Sequence, residues 1–108
     1  MTSKSGASDL NGLAEAAPDY HGHRDRLRER FVKGGASGLQ DYELLELLLF
    51  RTLPRRDTKP IAKAMLKRFG SFSEAIGAPP HLLEEIDGLG PTAITDLKVI
   101  LAAAQRIG

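Results

Sequence analysis

From residue 84 to residue 94 the chain reads Glu-Glu-Ile-Asp-Gly-Leu-Gly-Pro-Thr-Ala-Ile, a composition suited to holding an anion on backbone rather than on side chains. Two glycines one residue apart allow a tight turn, and a helix that follows presents unsatisfied N–H groups that its dipole makes attractive to phosphate. The spacing separates the phosphates such a turn could hold. A dinucleotide fingerprint requires a strand before the glycines and a third glycine after them. Here a helical segment precedes, and Ala93 stands at the third-glycine position. No Gly-Lys-Ser/Thr follows, which removes the phosphate loop of nucleotide hydrolases. What remains is a tight hairpin between helices, with Leu89 plugged between them and the glycines allowing a close approach to a neighbour. Its candidate ligand is the phosphate of a nucleic-acid strand.

Cations are the second group able to do chemistry. The net charge of +1 is uninformative, but its distribution is not. Residues 51–68 hold Arg51, Arg55, Arg56, Lys59, Lys63, Lys67 and Arg68 against Asp57 alone, a local net charge of +6. Residues 20–35 add Arg24, Arg26, Arg28, Arg30 and Lys33 against Asp25 and Glu29, a further +3, and the remainder is acidic. Lysines 59, 63 and 67, four apart, form one stripe on a helix. Together with Arg55 and Arg56 they would make a phosphate-binding face if folding gathers them, and a solvated surface if it does not. No aromatic residue is interleaved with them, which speaks against base stacking in the single-strand manner.

Other candidates carry less. His21 and His23 are two apart and face different ways on a helix, and His81 is remote, so no metal set is expected. Asp41, Glu43, Glu46, Glu84 and Glu85 read as helix-start and surface carboxylates. No nucleophile–base arrangement is apparent, so the segment is expected to be non-enzymatic and to need no cofactor. There is no cysteine, which excludes disulfides and thiolate metal sites. The longest nearly apolar run, residues 44–50, is too short to span a bilayer, and no secretory signal opens the chain. The expected location is the cytoplasm.

The elements that must position these residues are all helical. Residues 1–19 are small and polar and read as a disordered tail, leaving a domain over residues 20–108. A first helix carries Leu27 and Phe31 and ends at Gly34-Gly35. The second, from Asp41 to Leu53, is apolar nearly all round and belongs at the centre. Pro54 stops it; Asp57 caps a third helix with Pro60 in its first turn and Ile61, Ala62, Met65, Leu66 and Phe69 inward. After Gly70, Ser71 and Glu74 match a capping box for a short fourth helix. A fifth starts at Pro79-Pro80 with Leu82, Leu83 and Ile86 inward. A sixth runs from Pro91 with Ile94, Leu97, Ile100, Leu101 and Ala104 inward. With no alternating pattern anywhere, the expected fold is all-α: a compact bundle of five to six helices, each of 8 to 16 residues, with Phe31, Phe50, Phe69 and Phe72 as the large core fillers.

The pattern Leu82/Leu83…Ile86-Asp87-Gly88-Leu89-Gly90 ahead of a helix resembles the helix-hairpin-helix motif of sequence-nonspecific DNA-binding proteins. More widely, GHRDRLRERFVKGG, LQDYELLELLLFRTLPRRDTKPIAKAMLKRFGSFSEAI and LLEEIDGLGPTAITDLKVI resemble, in order and spacing, the N-terminal domain of the bacterial RadC family. In that family, commonly labelled as DNA repair, the helical domain precedes a JAB/MPN-type metalloprotease-like domain, whose zinc motif has no counterpart here. The resemblance implies phosphate contacts from the N–H groups of Gly88, Gly90, Thr92 and Ala93. It also implies a monovalent cation held by the carbonyls of Glu84, Ile86 and Leu89. The sequence departs from the motif in two places and adds a charge beside it. Ala93 stands where relatives often carry a basic residue, Ile94 replaces a small alanine, and Asp87 adds a negative charge.

Two functions follow as expectations. One is a DNA-binding module that contacts the backbone of the strand weakly, without reading bases, and loses affinity with salt. The other is a protein-interaction or scaffold domain with a degenerate hairpin, docking its own C-terminal domain or a repair partner.

Overall fold

The computed structural model describes residues 20–108, so the expected tail over residues 1–19 lies outside the described residues. Six α-helices follow in order: α1 (Tyr20–Gly34), α2 (Asp41–Thr52), α3 (Thr58–Phe69), α4 (Phe72–Gly77), α5 (Pro80–Leu83) and α6 (Pro91–Ile107), with a 3-10 turn at Ala36–Gly38. Among the described residues there is no strand. The all-α expectation holds, but the lengths are more uneven than expected: α4 has 6 residues, α5 only 4, and α6 has 17. Past Leu83 the chain tightens into turns in which Glu85 N–H donates to Leu82 C=O and Ile86 N–H to Leu83 C=O. These three-residue closures leave no room for a second turn of α5 before the glycines.

The apolar stretch in α2 has the consequence expected of it. The helix touches α1, α3, α4 and α6, and Leu45, Leu49 and Phe50 are buried. Around it lie Ile61, Ala62 and Met65 of α3, Ala75 and Ile76 of α4, Leu83, Ile86 and Leu89 before α6, and Ala93, Ile94 and Leu97 within it. Phe69 and Phe72 are half-buried against this core. Ala104, expected to face inward, is exposed, because α6 outruns the helices that cover its first half. Phe31 is a clearer departure, 41 % exposed rather than a core filler. It lies on α1 beyond Arg30, which pairs with Glu43 in the first turn of α2, so the antiparallel partner has no residues left to cover it.

Local signals at helix starts behave as their chemistry requires. Asp57 accepts Lys59 N–H at 3.2 Å and starts α3. Ser71 Oγ accepts Glu74 N–H at 3.1 Å, half of the expected capping box, while the Glu74 carboxylate meets the Ser71 hydroxyl at 3.3 Å. At α2 the reciprocal reach comes from a glutamine-led start, with Gln40 N–H donating to Glu43 Oε1 at 2.9 Å.

Candidate functional site

The turn at residues 86–90 is built by apolar burial on one side and one obligatory glycine on the other. Leu83, Ile86 and Leu89 are all buried, and Leu89 N–H closes the turn on Ile86 C=O at 3.1 Å. Gly88 has φ of 97°, and a Cβ there would stand 2.8 Å from Ile61 Cδ1 and 3.4 Å from Arg56 Nη2. Only glycine serves at that position, for both the backbone conformation and the space. Gly90 is different: its φ is −94° and nothing lies within 4 Å of its Cβ direction. The close approach expected of both glycines therefore belongs to Gly88 alone. Gly90 instead leaves open space in front of α6, whose N-cap has no side-chain cap.

None of the N–H groups of Gly88, Gly90, Thr92 and Ala93 has an acceptor among the described residues. Gly90 and Thr92 are exposed and Gly88 half-buried, so three of the four are within reach of a ligand. Ala93 is 3 % exposed, which makes its N–H the least accessible. The Ile86 carbonyl, one of the three that the resemblance gives to a monovalent cation, already accepts Leu89 N–H. A cation there would have to use its second lone pair.

The Arg56 guanidinium near Gly88 is one of the contacts between the basic segment and the turn. Arg55, Arg56, Asp57, Pro60, Ile61 and Asp87 line a depression of about 510 Å³. Two arginines and two carboxylates share it, and Asp57 is already engaged as the cap of α3. The other cations of residues 51–68 do not line this depression. Arg68 pairs with Glu85 at 3.3 Å, and Arg51 lines a separate cleft with Thr52 and Asp96 between α2 and α6. Lys63 Nζ sits 5.2 Å from the centre of the Tyr42 ring on α2. At about 100° per residue, Lys59 and Lys63 stand roughly 160° around α3 from Ile61, and Lys67 roughly 120°. The exposed lysine stripe is thus turned away from the buried Ile61, and of the seven cations of residues 51–68 only Arg55 and Arg56 line the depression.

The loop that presents Arg55 and Arg56 is held from beneath by charged residues that look, in sequence, like surface. Arg24 is 5 % exposed. Its guanidinium donates to Phe50 C=O at 3.3 Å, Leu53 C=O at 2.9 Å and Arg56 C=O at 2.7 Å, and lies 4.6 Å from the Phe50 ring centre. These are the open carbonyls at the end of α2 and in the following loop. Next to it, Glu46 is 0 % exposed, accepting from Thr58 Oγ1 at 3.0 Å and standing 3.2 Å from His23 Nε2. Glu43 is 8 % exposed and takes both Arg30 nitrogens. The expected surface role of Glu43 and Glu46 is therefore corrected. The hydrogen bond from Arg30, followed by that from Gln40 N–H, holds the Glu43 carboxyl below its ordinary pKa. The only available signal was position: Glu46 falls on the helix whose every other face is apolar.

Lys98 was also not singled out from sequence. It donates to the Ile76 carbonyl at 2.8 Å and to the Ala78 carbonyl, closing the end of α4, and burial pushes its pKa below the ordinary lysine value. Among the described residues no group of three or more His, Cys, Asp or Glu is arranged to hold a metal ion, and no helix is long and apolar enough to cross a membrane.

No solved structure matches this chain significantly. The family model described as UPF0758 N-terminal matches residues 21–95, a span that runs from the Arg24 clamp through the glycine turn into α6. The chain belongs to that family, the N-terminal region of RadC-family proteins.

Proposed function

We propose that this domain is a non-enzymatic module that binds DNA through the phosphates of its backbone, without reading bases. The observation that carries the reading is the meeting of Arg56 with Gly88, the guanidinium lying 3.4 Å from where a Cβ would project. That meeting supports the reading because it brings a planar, permanently charged donor to the glycine turn that precedes the 17-residue α6. Arg55 lines the same depression, and the exposed Gly90 and Thr92 follow the turn in the chain. The helix-hairpin-helix resemblance gives this arrangement its direction, since a phosphate of a strand is what such a turn takes there. The short α5 and the two carboxylates make it a shallow, weak contact whose affinity falls steeply with salt.

The test is a titration of the chain with a short duplex at low and at moderate salt, followed by backbone amide shifts. Shifts clustering at residues 55–57 and 88–93, and fading with salt, support the reading; shifts absent from both segments sink it. Asp87→Asn removes a negative charge from the depression and is expected to tighten binding about two- to fivefold at low salt.

A second reading, a protein-docking domain, is favoured by a different observation. Leu48, Phe72, Ile76, Ile100, Leu101 and Ala104 line an apolar groove of about 190 Å³ on the α2–α4–α6 side. Amide shifts confined to that groove on addition of a C-terminal domain or other partner would favour this reading.

A further inference from the structure

We infer that Arg24 is a positioning residue for the arginine pair of the depression, so that α1, which contributes nothing to the depression's lining, sets how Arg55 and Arg56 meet a phosphate. The inference rests on the DNA-backbone reading of that depression. Arg55 and Arg56 sit in the five-residue connection between α2 and α3, residues 53–57. Such a loop, left to itself, would spread two long cationic side chains over many positions, and ordering them on a phosphate would cost conformational entropy.

The structure places one group in control of that loop. The fork of the Arg24 guanidinium takes the carbonyl of Phe50 inside α2, that of Leu53 at its end, and that of Arg56 itself. It is sandwiched against the Phe50 ring, which Arg28 also covers at 5.4 Å. Three carbonyls on one rigid plane fix the path of the loop from its first residue to its fourth. The far end is pinned separately: Thr58, the first residue of α3, donates its hydroxyl to the buried Glu46, which His23 also reaches. The first anchor is Arg24 of α1; the second is Glu46 of α2, against which the neighbouring His23 of α1 stands. The loop is free only outward, where Arg55 and Arg56 are exposed and where Gly88 stands.

A lysine at position 24 keeps the charge but has one nitrogen, which cannot span three carbonyls. Arg24→Lys is therefore expected to weaken duplex binding about tenfold at low salt, and to flatten the slope of log K against log salt by about one to two as phosphate contacts are lost. It is also expected to move the amide resonances of residues 53–57 and 88. A residue with a merely structural role would lower Tm and leave affinity and salt slope unchanged in the folded protein, and that result overturns the inference. The double variant Arg55→Gln/Arg56→Gln separates the two layers. If it leaves binding unchanged while Arg24→Lys moves the amides of the loop, the phosphate reading of the depression is wrong and the inference falls with it. If it flattens the slope and Arg24→Lys does not, only the positioning role is wrong. Should Arg24→Lys fail to fold, backbone relaxation of the unaltered chain decides. Order parameters at residues 53–57 near ~0.85, equal to the flanking helices, support the clamp, and values below ~0.6 overturn it.

Discussion

The two walls of the depression are held by opposite chemistry. The wall at Asp87, on the glycine turn, is fastened by Leu83, Ile86 and Leu89 in the core and by Gly88, which lets Ile61 approach. The Arg55–Arg56 wall is fastened by buried charge: Arg24 on three carbonyls, and Glu46 between Thr58 and His23. Apolar fastening tolerates small errors at modest cost, because contacts are many and individually weak. Polar fastening is specific and brittle, since removing one partner strands the other in a place that water does not reach. A surface that must present two arginines at a set distance from a turn gains from the second kind, and the α1–α2–α3 joint supplies it.

The sharpest way to break that contrast is Glu46→Ala. It removes a carboxylate that is 0 % exposed, opens a cavity, and leaves the Thr58 hydroxyl and His23 without their partner. A loss of about 3–5 kcal/mol in urea unfolding is expected. A loss under ~1 kcal/mol would mean that the site takes up water and that the joint is not dry. The apolar wall is expected to yield less. Gly88→Ala puts an L-residue at φ 97° and a methyl 2.8 Å from Ile61 Cδ1, at a cost of about 1–3 kcal/mol. Adding Ile61→Val removes that methyl and should return part of the loss. If it returns none, the cost is conformational rather than steric.

The Arg30–Glu43 pair between α1 and α2 gives the domain a response to acid. The Glu43 carboxyl is held below 4.5 by Arg30 first and Gln40 N–H second, so its contribution is fully present above that value. It is lost as pH falls through the depressed folded value. Glu43→Gln cannot make that transition, and its Tm is expected to fall less steeply than that of the unaltered chain over this acid range. Parallel curves would show that the Arg30 pair is too exposed to matter.

What was legible in the sequence divides along the same line. The helices, the central place of α2, and the Asp57 and Ser71 caps follow from apolar period and local hydrogen bonding, both of which are written in neighbouring residues. So does the plug role of Leu89. The buried roles of Arg24, Glu43 and Glu46 and the half-buried one of Lys98 were not legible, because each depends on partners 12 to 32 positions away, and a charged residue in a helix is by default a surface residue. The same holds for the site. Gly88 and Arg56 were both candidates, but nothing in their spacing says that they touch, and nothing in the four-residue repeat of Lys59, Lys63 and Lys67 says which flank of α3 meets the turn.

That last point carries the smallest expected effect and the cleanest discrimination. None of the three lysines lines the depression, and Lys63 lies over Tyr42, so on the proposed reading the stripe would act on a bound strand only through its field. At physiological salt that field decays over about 8 Å. The triple variant Lys59→Gln/Lys63→Gln/Lys67→Gln is therefore expected to weaken duplex binding by no more than about twofold and to leave the salt slope within ~0.5 of its original value. Arg55→Gln/Arg56→Gln, with one fewer charge removed, is expected to lower the slope by about one to two. Fluorescence anisotropy with a labelled duplex over a series of salt concentrations measures both. If the lysine variant flattens the slope more than the arginine variant, the phosphates run along the outer flank of α3. The turn at Gly88 is then a structural hairpin, and the two walls were never the two sides of one site.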